Sequence, residues 1–254
     1  MDMEVLTAKI RTLFVYRDFD HLYKLGELSK VKKDRLEDDL IRLQQDIYFL
    51  DEYLESNWEL DEAELKLYWN HIHQSLSNLG VASSDYDLYS AHIYKYQDHE
   101  IQLRTNKDLL RLSMQYFYFY KSCDVKLLRR IIYNYSPKIR KYYTLADWRC
   151  FDLITEVNDD VEDLIEDLQT INGNRLQLSI NRYGVVKARK DFLQFMDEIE
   201  QQSSERVKLK KSKYYDHIHV KVVQQVKDTK ILLDCSIEEY LSIKNKEAQE
   251  GVSV

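Results

Sequence analysis

The sequence predicts an all-α protein, and three observations support this. Only one proline and five glycines occur in 254 residues, whereas β-hairpins and most loops depend on both residue types. Apolar residues recur at spacings of three and four over most of the chain, as on the buried side of a helix. No fixed-period repeat or low-complexity linker divides the chain. We therefore expect a single-domain antiparallel bundle of about ten helices over residues 1–247, and a disordered tail over residues 248–254.

The N-terminal half is predicted to form successive amphipathic helices. Asp34 suits an N-cap, so we expect a helix from there to about Asn57. Its inner face is predicted to contain Leu36, Leu40, Leu43, Ile47, Leu50 and Leu54. Gly80 suits the end of another helix, because glycine adopts the left-handed conformation found there. The other helices of this half are predicted over residues 2–29, 61–79, 84–102, from about 106, and 125–135.

The C-terminal half begins after Pro137, the only proline, which marks a loop. The next helix is predicted from Thr144 to about Ile171. Breaks are expected at residues 172–174 and at Gly184, because Asn and Gly favour turns. Helices are then predicted over residues 185–201, 214–230 and 236–246, with a polar, basic loop over residues 202–212.

The charge and cysteine content exclude several classes of protein. The 44 acidic residues outnumber the 37 basic ones, for a net charge of −7. A nucleic acid or an anionic membrane is therefore not expected as the main partner, since both require clustered Lys and Arg; the run Lys208–Lys213 is the one exception. Three cysteines without CxxC spacing favour neither a disulfide framework nor a zinc site. We expect a cytoplasmic protein without a transmembrane segment, and leave its assembly, including a homodimer, open.

The predicted helix over residues 144–171 has a strongly acidic face. Asn158, Asp159, Glu162 and Glu166 follow one another at intervals that place them on one side of a helix. No basic residue accompanies them between positions 149 and 175, although an exposed helix normally mixes its charges. Oxygen ligands of this kind suit Mg²⁺. The pattern predicts a Mg²⁺ site, and the alternative is an acidic surface stripe.

A second acidic group lies near the end of the predicted helix over residues 34–57. Asp51, Glu52 and Glu55 follow an aromatic pair, and Asp51 and Glu55 are one turn apart on the same face. Two helices that offer carboxylates to each other within a bundle can hold a metal cluster between them. The second group therefore strengthens the prediction of a Mg²⁺ site.

These two groups carry a resemblance to a known family. Asn158-Asp159-x-x-Glu162-x-x-x-Glu166 resembles the N-D-x-x-S/T-x-x-x-E metal motif of class I terpene synthases, which have the all-α isoprenoid synthase fold. Asp51-Glu52-x-x-Glu55 resembles the aspartate-rich first motif of that family. The pair Lys121-Ser122 is similar to a Lys-Thr pair of prenyl-chain-elongating relatives, and the resemblance covers about residues 34–200.

The sequence also departs from the family pattern. Glu162 stands where the family has Ser or Thr, and the first motif lacks its double Asp. The alternative register Asp159-Asp160-x-x-Asp163 resembles the D-D-x-x-D motif of chain-elongating and squalene-synthase-like enzymes. The interval between the two motifs is shorter than usual. The C-terminal Arg-Tyr pair of terpene synthases is absent, and Lys213-Tyr214-Tyr215 is its local substitute.

The resemblance implies a carbon–oxygen lyase with a central active-site cavity, in which Mg²⁺ binds the diphosphate of a C10, C15 or C20 prenyl substrate. It assigns the metal to Asp51, Glu52, Glu55, Asn158, Asp159, Glu162 or Asp163, and Glu166. Candidates to complete the diphosphate site are Arg111, Lys121, Arg129, Arg130, Arg182 and Lys213. Tyr116 and Phe119 are candidates to stabilise a carbocation through their aromatic faces.

Two other functions remain open at this stage. One is a prenyl-chain-elongating or squalene-synthase-like coupling enzyme, which needs room for two substrates. The other is a non-catalytic helical protein that carries a ligand or binds a basic partner through the acidic helix. Exposure of the acidic face over residues 158–166 would favour this last function.

Overall fold

A computed structural model of the chain describes residues 2–103, 109–171, 173–210 and 213–250. These residues form eleven α-helices joined by short 3₁₀ turns, and they contain no β-strand. The all-α prediction is confirmed. The helices are α1 Met3–Tyr16, α2 Phe19–Leu25, α3 Lys30–Ser56, α4 Glu62–Asn78, α5 Tyr86–Leu103, α6 Met114–Lys121, α7 Cys123–Tyr135, α8 Arg149–Glu162, α9 Arg175–Tyr183, α10 Val185–Lys210 and α11 Lys213–Glu250.

The chain forms two compact units. The first contains the described part of Met1–Arg104 together with Tyr120–Leu145, and the second contains the described part of Thr105–Phe119 and Ala146–Val254. The prediction of one domain over residues 1–247 stays a prediction. None of the described helices has the length and apolar composition that crossing a bilayer requires.

The first unit is organised around α3, which packs against α1, α4, α5 and α7. All six residues predicted for the inner face of this helix are buried, so the helical periodicity of the sequence identified its core side correctly. The helix begins four residues before Asp34, with Ser29 in the N-cap position. Gly80 follows α4 with a φ of 79°, as expected for a residue that ends a helix.

The predicted helix over residues 2–29 is two helices. Asp18 has a φ of 65°, in the left-handed region, and it separates α1 from α2. Asp tolerates this conformation better than most residues, because its short side chain bonds locally. Gly26 then ends α2 in close contact with Ser136, whose hydroxyl donates to the Gly26 carbonyl at 2.8 Å.

The second unit is built on α8, α10 and α11. Helix α8 packs against both of the others, and α9 packs against α10. From Cys150 to Val157 every residue of α8 is buried, so this helix has no exposed face over its first two turns. The burial includes polar side chains as well as apolar ones, which the amphipathic pattern did not predict.

Helix α8 ends at Glu162, nine residues before the predicted end. In a continued helix the backbone carbonyl of Asp160 would accept from residue 164. It accepts instead from the side chain of Asn174 at 2.7 Å. A residue distant in sequence therefore supplies a hydrogen bond at the helix end, and local propensity could not reveal it.

The predicted loop over residues 202–212 is helical up to Lys210, because its polar side chains have partners inside the unit. Ser203 bonds His219 at 2.9 Å, and Arg206 bonds the carboxylate of Asp147. Helix α11 also runs without the predicted break near residue 231, and it extends to Glu250, into the predicted tail. Residues 251–254 lie outside the described part of the chain.

Candidate functional site

The first acidic motif lies in the last two turns of α3. Asp51 and Glu55 are partly buried, whereas Glu52 is exposed. The two partly buried carboxylates are one helical turn apart, as predicted, and they face the interior of the first unit. Glu52 points away from them.

Carboxylates from two other helices lie close to Asp51. Burial raises the pKa of Asp51 well above its ordinary value, and the negative charges of Glu55, Asp124 and Glu100 raise it further. Glu100 belongs to α5 and is 2% exposed, and Asp124 lies in the first turn of α7. We call Asp51, Glu55, Glu100 and Asp124 the α3 acidic cluster. Like charges gathered in a partly buried place oppose ionisation, so this cluster favours a bound proton or a bound cation.

Lys121, the last residue of α6, is the positive charge that lowers the pKa of Asp51. The structure thus brings together a predicted diphosphate-binding residue and a predicted metal ligand within the first unit. Asp124 accepts from the Gln44 amide at 2.8 Å and from its neighbour's backbone N–H. Its place in the first turn of α7 also stabilises its negative charge through the helix dipole.

Sequence reasoning missed Glu100 and Asp124. Asp124 directly precedes the helix predicted over residues 125–135, and an acidic residue at the start of a helix was a usable signal for a functional carboxylate. Glu100 offered no signal, because its neighbourhood on α5 is polar and tyrosine-rich. Only the packing of α5 against α3 shows that its side chain is buried.

The second acidic motif is not on one helical face. Asn158 and Asp159 are partly buried on α8, and Glu162 is exposed at its last position. Glu166 begins a separate 3₁₀ turn, Glu166–Gln169. The predicted alignment of four oxygen ligands along a single helix is therefore wrong, and Asn158 and Glu162 are the pair that stays one turn apart, joined at 3.2 Å.

The side-chain oxygen of Asn158 is already hydrogen-bonded. It accepts from the Thr229 hydroxyl at 2.8 Å and from the Gln225 amide at 3.0 Å, both on α11. An amide oxygen has two acceptor lone pairs, and these two donors use both. In this arrangement Asn158 joins α8 to α11 and does not offer its oxygen to a metal.

Asp160, the middle residue of the alternative register, is fully buried. One of its carboxylate oxygens accepts from the Tyr118 hydroxyl at 2.7 Å and from the backbone N–H of Arg175 at 2.8 Å. Burial raises the pKa of Tyr118 well above its ordinary value, and the Asp160 charge raises it further. Tyr118 therefore stays a hydrogen-bond donor.

Asn174 and Arg175 complete this network at the start of α9. Asn174 donates to the Asp167 carboxylate at 2.8 Å, and its oxygen accepts from the N–H of Gln177 as the N-cap. The Arg175 guanidinium donates to the Leu112 carbonyl at 2.6 Å. We call Tyr118, Asp160, Asp167, Asn174 and Arg175 the α8–α9 network. These contacts join parts of the second unit, which is a structural role.

The other carboxylates of α8 have different exposures. Asp163 follows the helix and is exposed, so the alternative register keeps Asp159 and Asp163 as its accessible members. Asp152 and Glu156 are one turn apart and are 3% and 4% exposed. Sequence reasoning placed no function on these two, although their spacing from Asp159 put them on the same side of the helix.

The predicted basic residues are dispersed. Arg129 is buried and donates to the Arg17 carbonyl at 3.1 Å, and Arg130 donates to the Leu88 carbonyl at 2.8 Å. Both bond backbone carbonyls of the first unit. Arg111 and Arg182 are exposed in the second unit. Lys213 begins α11, and its side chain lies outside the described part of the structure.

The buried residues of the aromatic run on α6 are not the two that were predicted to stabilise a carbocation. Phe117 and Tyr118 are buried, whereas Tyr116 is 39% exposed. Phe119 is partly buried, and the Arg149 guanidinium lies over its ring at 5.6 Å. Helical periodicity requires a contrast between apolar and polar positions, and a run of aromatic residues offers none.

Among the described residues, no group of three or more His, Cys, Asp or Glu side chains is arranged to hold a metal ion by itself. Comparison with protein-family models, with curated proteins and with solved structures gives no match for this chain. The isoprenoid synthase fold and its central cavity therefore stay predictions.

Proposed function

We propose that the chain is a Mg²⁺-dependent class I terpene synthase, which ionises a linear prenyl diphosphate and converts the carbocation to a terpene hydrocarbon or alcohol. The observation that supports it best is the α3 acidic cluster beside Lys121. A carboxylate whose pKa is strongly raised, gathered with other carboxylates next to a cation, is typical of functional sites, since such an arrangement costs folding free energy.

The donors of the cluster fit Mg²⁺. All are carboxylate oxygens, which this hard cation prefers, and no His or Cys is needed. Mg²⁺ commonly binds one or two carboxylates and fills its other positions with water and substrate phosphate. A preformed group of three protein ligands is therefore not required. Asp51 and Glu55 are the residues that would hold the ion, and bound Mg²⁺ would neutralise the charge of a departing diphosphate.

The chain's own residues have distinct roles in this proposal. Lys121 would bind a diphosphate oxygen through its ammonium group. Asp51, whose raised pKa favours the protonated form, would give up its proton when a divalent cation arrives, because metal ligands must be deprotonated. Asp159 and Asp163 are the accessible candidates of the second motif, and Asn158 would stabilise α8 rather than bind the metal.

The proposal is tested by incubating the purified protein with Mg²⁺ and C10, C15 and C20 prenyl diphosphates, singly and with isopentenyl diphosphate, and analysing extracted products by gas chromatography. We expect a terpene from a single substrate. A longer prenyl chain, formed only with the second substrate, would instead identify a chain-elongating enzyme. Products no different from those of spontaneous hydrolysis would refute both.

Asp51→Asn should lower turnover roughly a hundredfold or more, as expected when one group that stabilises transition-state charge is removed. Asp46→Asn is the matched control, because Asp46 is a partly buried carboxylate on the same helix whose partner is the Ser75 hydroxyl, at 2.5 Å. Equal losses in the two variants would show a general effect on α3 and not a function of Asp51.

A second candidate function has its own supporting observation. Glu162, Asp163 and Glu166 are exposed at the end of α8, where they would suit a basic partner. If no turnover is found, binding of a fluorescent Lys-rich peptide should be measured at two salt concentrations. Salt-sensitive binding that Glu162→Gln and Glu166→Gln weaken would favour this non-catalytic role.

A further inference from the structure

The C-terminal end of α10 combines positive charge with an exposed apolar side chain. The sequence from Arg206 to Lys213 contains five basic residues and no acidic one, in a chain whose net charge is −7. Lys208, Leu209 and Lys210 are exposed in the last turn of α10, and Leu209 is 83% exposed. We call Arg149, Arg206, Lys208, Leu209 and Lys210 the basic tip.

A buried carboxylate fixes the basic tip in place. Asp147 is 2% exposed and accepts from the Arg206 guanidinium at 2.5 and 2.8 Å, while the Lys210 ammonium lies 3.1 Å away. The Arg206 guanidinium also lies over the ring of Tyr215, at 5.7 Å. The end of α10 is thus held by contacts on its inner side, which directs Lys208 and Leu209 outward.

The charge of the tip is only partly balanced. The single carboxylate of Asp147 is shared by two basic side chains, Arg206 and Lys210. Arg149 lies at the same end of the unit, because both it and Arg206 lower the pKa of Cys150, which burial raises to about 11. Glu205, the acidic residue just before the tip, accepts from Gln201 one turn back along α10. The basic tip therefore has four basic side chains, and one buried carboxylate pairs with two of them, Arg206 and Lys210.

The opposite end of α10 provides an internal contrast. Val186 is 85% exposed, which matches the exposure of Leu209. Two of the cations beside it are neutralised, since Lys187 pairs with Asp191 at 2.8 Å and Arg189 pairs with Asp234 at 2.6 Å. Exposed apolar residues occur at both ends of the helix, but among the described residues the positive charge excess is larger at the basic tip.

We propose that the basic tip docks on the surface of an anionic lipid bilayer. Lys and Arg side chains near the surface are attracted to acidic headgroups. Leu209 would insert at the boundary between headgroups and acyl chains while the flanking lysines stay with the phosphates. A nucleic acid would contact the basic side chains of the tip equally well, but Leu209 would add nothing to its binding. This inference goes beyond the proposed enzyme function and does not depend on it.

The test is co-sedimentation of the full-length protein with vesicles, without Mg²⁺ or a prenyl diphosphate. We expect binding to phosphatidylcholine vesicles that contain about 30% phosphatidylserine, little binding to pure phosphatidylcholine, and a decrease as salt screens the charges. Absence of binding to the anionic vesicles at low salt would overturn the proposal, whatever the outcome of the turnover assay.

Matched variants separate the apolar contribution from the electrostatic one. Lys208→Glu should weaken binding roughly tenfold or more, because it changes the local charge by two, and Leu209→Ser should weaken it roughly fivefold by removing an inserted side chain. Lys190→Glu and Val186→Ser, exposed on α10 away from the tip, should leave binding unchanged. Equal effects of tip and control variants, or no effect of Leu209→Ser together with equally tight binding to a DNA oligonucleotide, would contradict a bilayer as the partner.

Discussion

Asp51 and Asp160 are both acidic residues in the last turns of their helices, yet their surroundings are opposite. Asp160 in the second unit accepts hydrogen bonds from Tyr118 and from the backbone of Arg175. In the first unit, burial raises the pKa of Asp51 and three other carboxylates raise it further, with Lys121 as the opposing charge. Burial is unfavourable for both carboxylates, and among the described residues hydrogen-bond donors offset it at Asp160.

Asp160 is thus a carboxylate that stabilises the fold, whereas Asp51 is one whose surroundings destabilise it. Hydrogen-bond donors directed at a buried carboxylate make it part of the structure, so its removal should destabilise the protein. Like charges around a carboxylate cost stability, and a protein retains such an arrangement where a function requires it. The more conspicuous acidic motif of the sequence, on α8, belongs largely to the first kind.

The largest effect on stability is expected for Asp160→Ala. The substitution leaves the Tyr118 hydroxyl and the Arg175 N–H without their buried acceptor, and it should lower the free energy of unfolding by about 3 kcal/mol. Urea denaturation followed by circular dichroism measures it. Asp163→Ala, at an exposed position just after α8, is the control and should change stability little. If Asp160→Ala lowers the free energy of unfolding by less than about 1 kcal/mol, Asp160 does not have the stabilising role that distinguishes it from Asp51.

The α3 acidic cluster should respond to pH in the opposite sense from a stabilising carboxylate. The pKa of Asp51 is higher in the folded chain than in the unfolded one, so the folded chain binds more protons. The free energy of unfolding should therefore fall as the pH rises from about 4 toward the raised pKa. Asp51→Asn should flatten this decline, as measured by denaturation in metal-free buffer.

Mg²⁺ provides a further control on that response. Near neutral pH, millimolar Mg²⁺ should raise the melting temperature of the wild-type protein, because a ligand of the folded state stabilises it. The increase should be smaller in Asp51→Asn. An equal increase in both proteins would place the ion elsewhere.

The smallest effect is expected for Asn158→Ala. The substitution removes the acceptor of Thr229 and Gln225, and it should cost about 1–2 kcal/mol in urea denaturation. If Asn158→Ala instead abolishes turnover with no loss of stability, Asn158 would resemble Asp51 and not Asp160.

Local sequence patterns could predict the features that depend on a regular spacing of apolar residues or on the conformation of a single residue. The inner face of α3 followed from helical periodicity, and Gly80 and Gly184 followed from the backbone conformations that glycine permits. Each of these depends on residues close together in sequence or on one repeated spacing.

The elements that could not be predicted depend on single contacts between distant residues. The end of α8 depends on Asn174, and the extension of α10 depends on Asp147. The α3 acidic cluster depends on Glu100, which nothing in its own neighbourhood distinguishes. The direction of Tyr116 and Phe119 could not be inferred, because their neighbours are also aromatic.

The bonds between Asn158 and α11 also constrain how the protein can be made. Thr229 lies 71 residues after Asn158 in the chain, and domains fold as their segments leave the ribosome, N-terminal parts first. Helix α8, which is buried over its first two turns and packs against α11, emerges well before that partner is synthesised. Helix α8, which contains the most acidic segment of the second unit, can therefore become buried only after α11 has been synthesised.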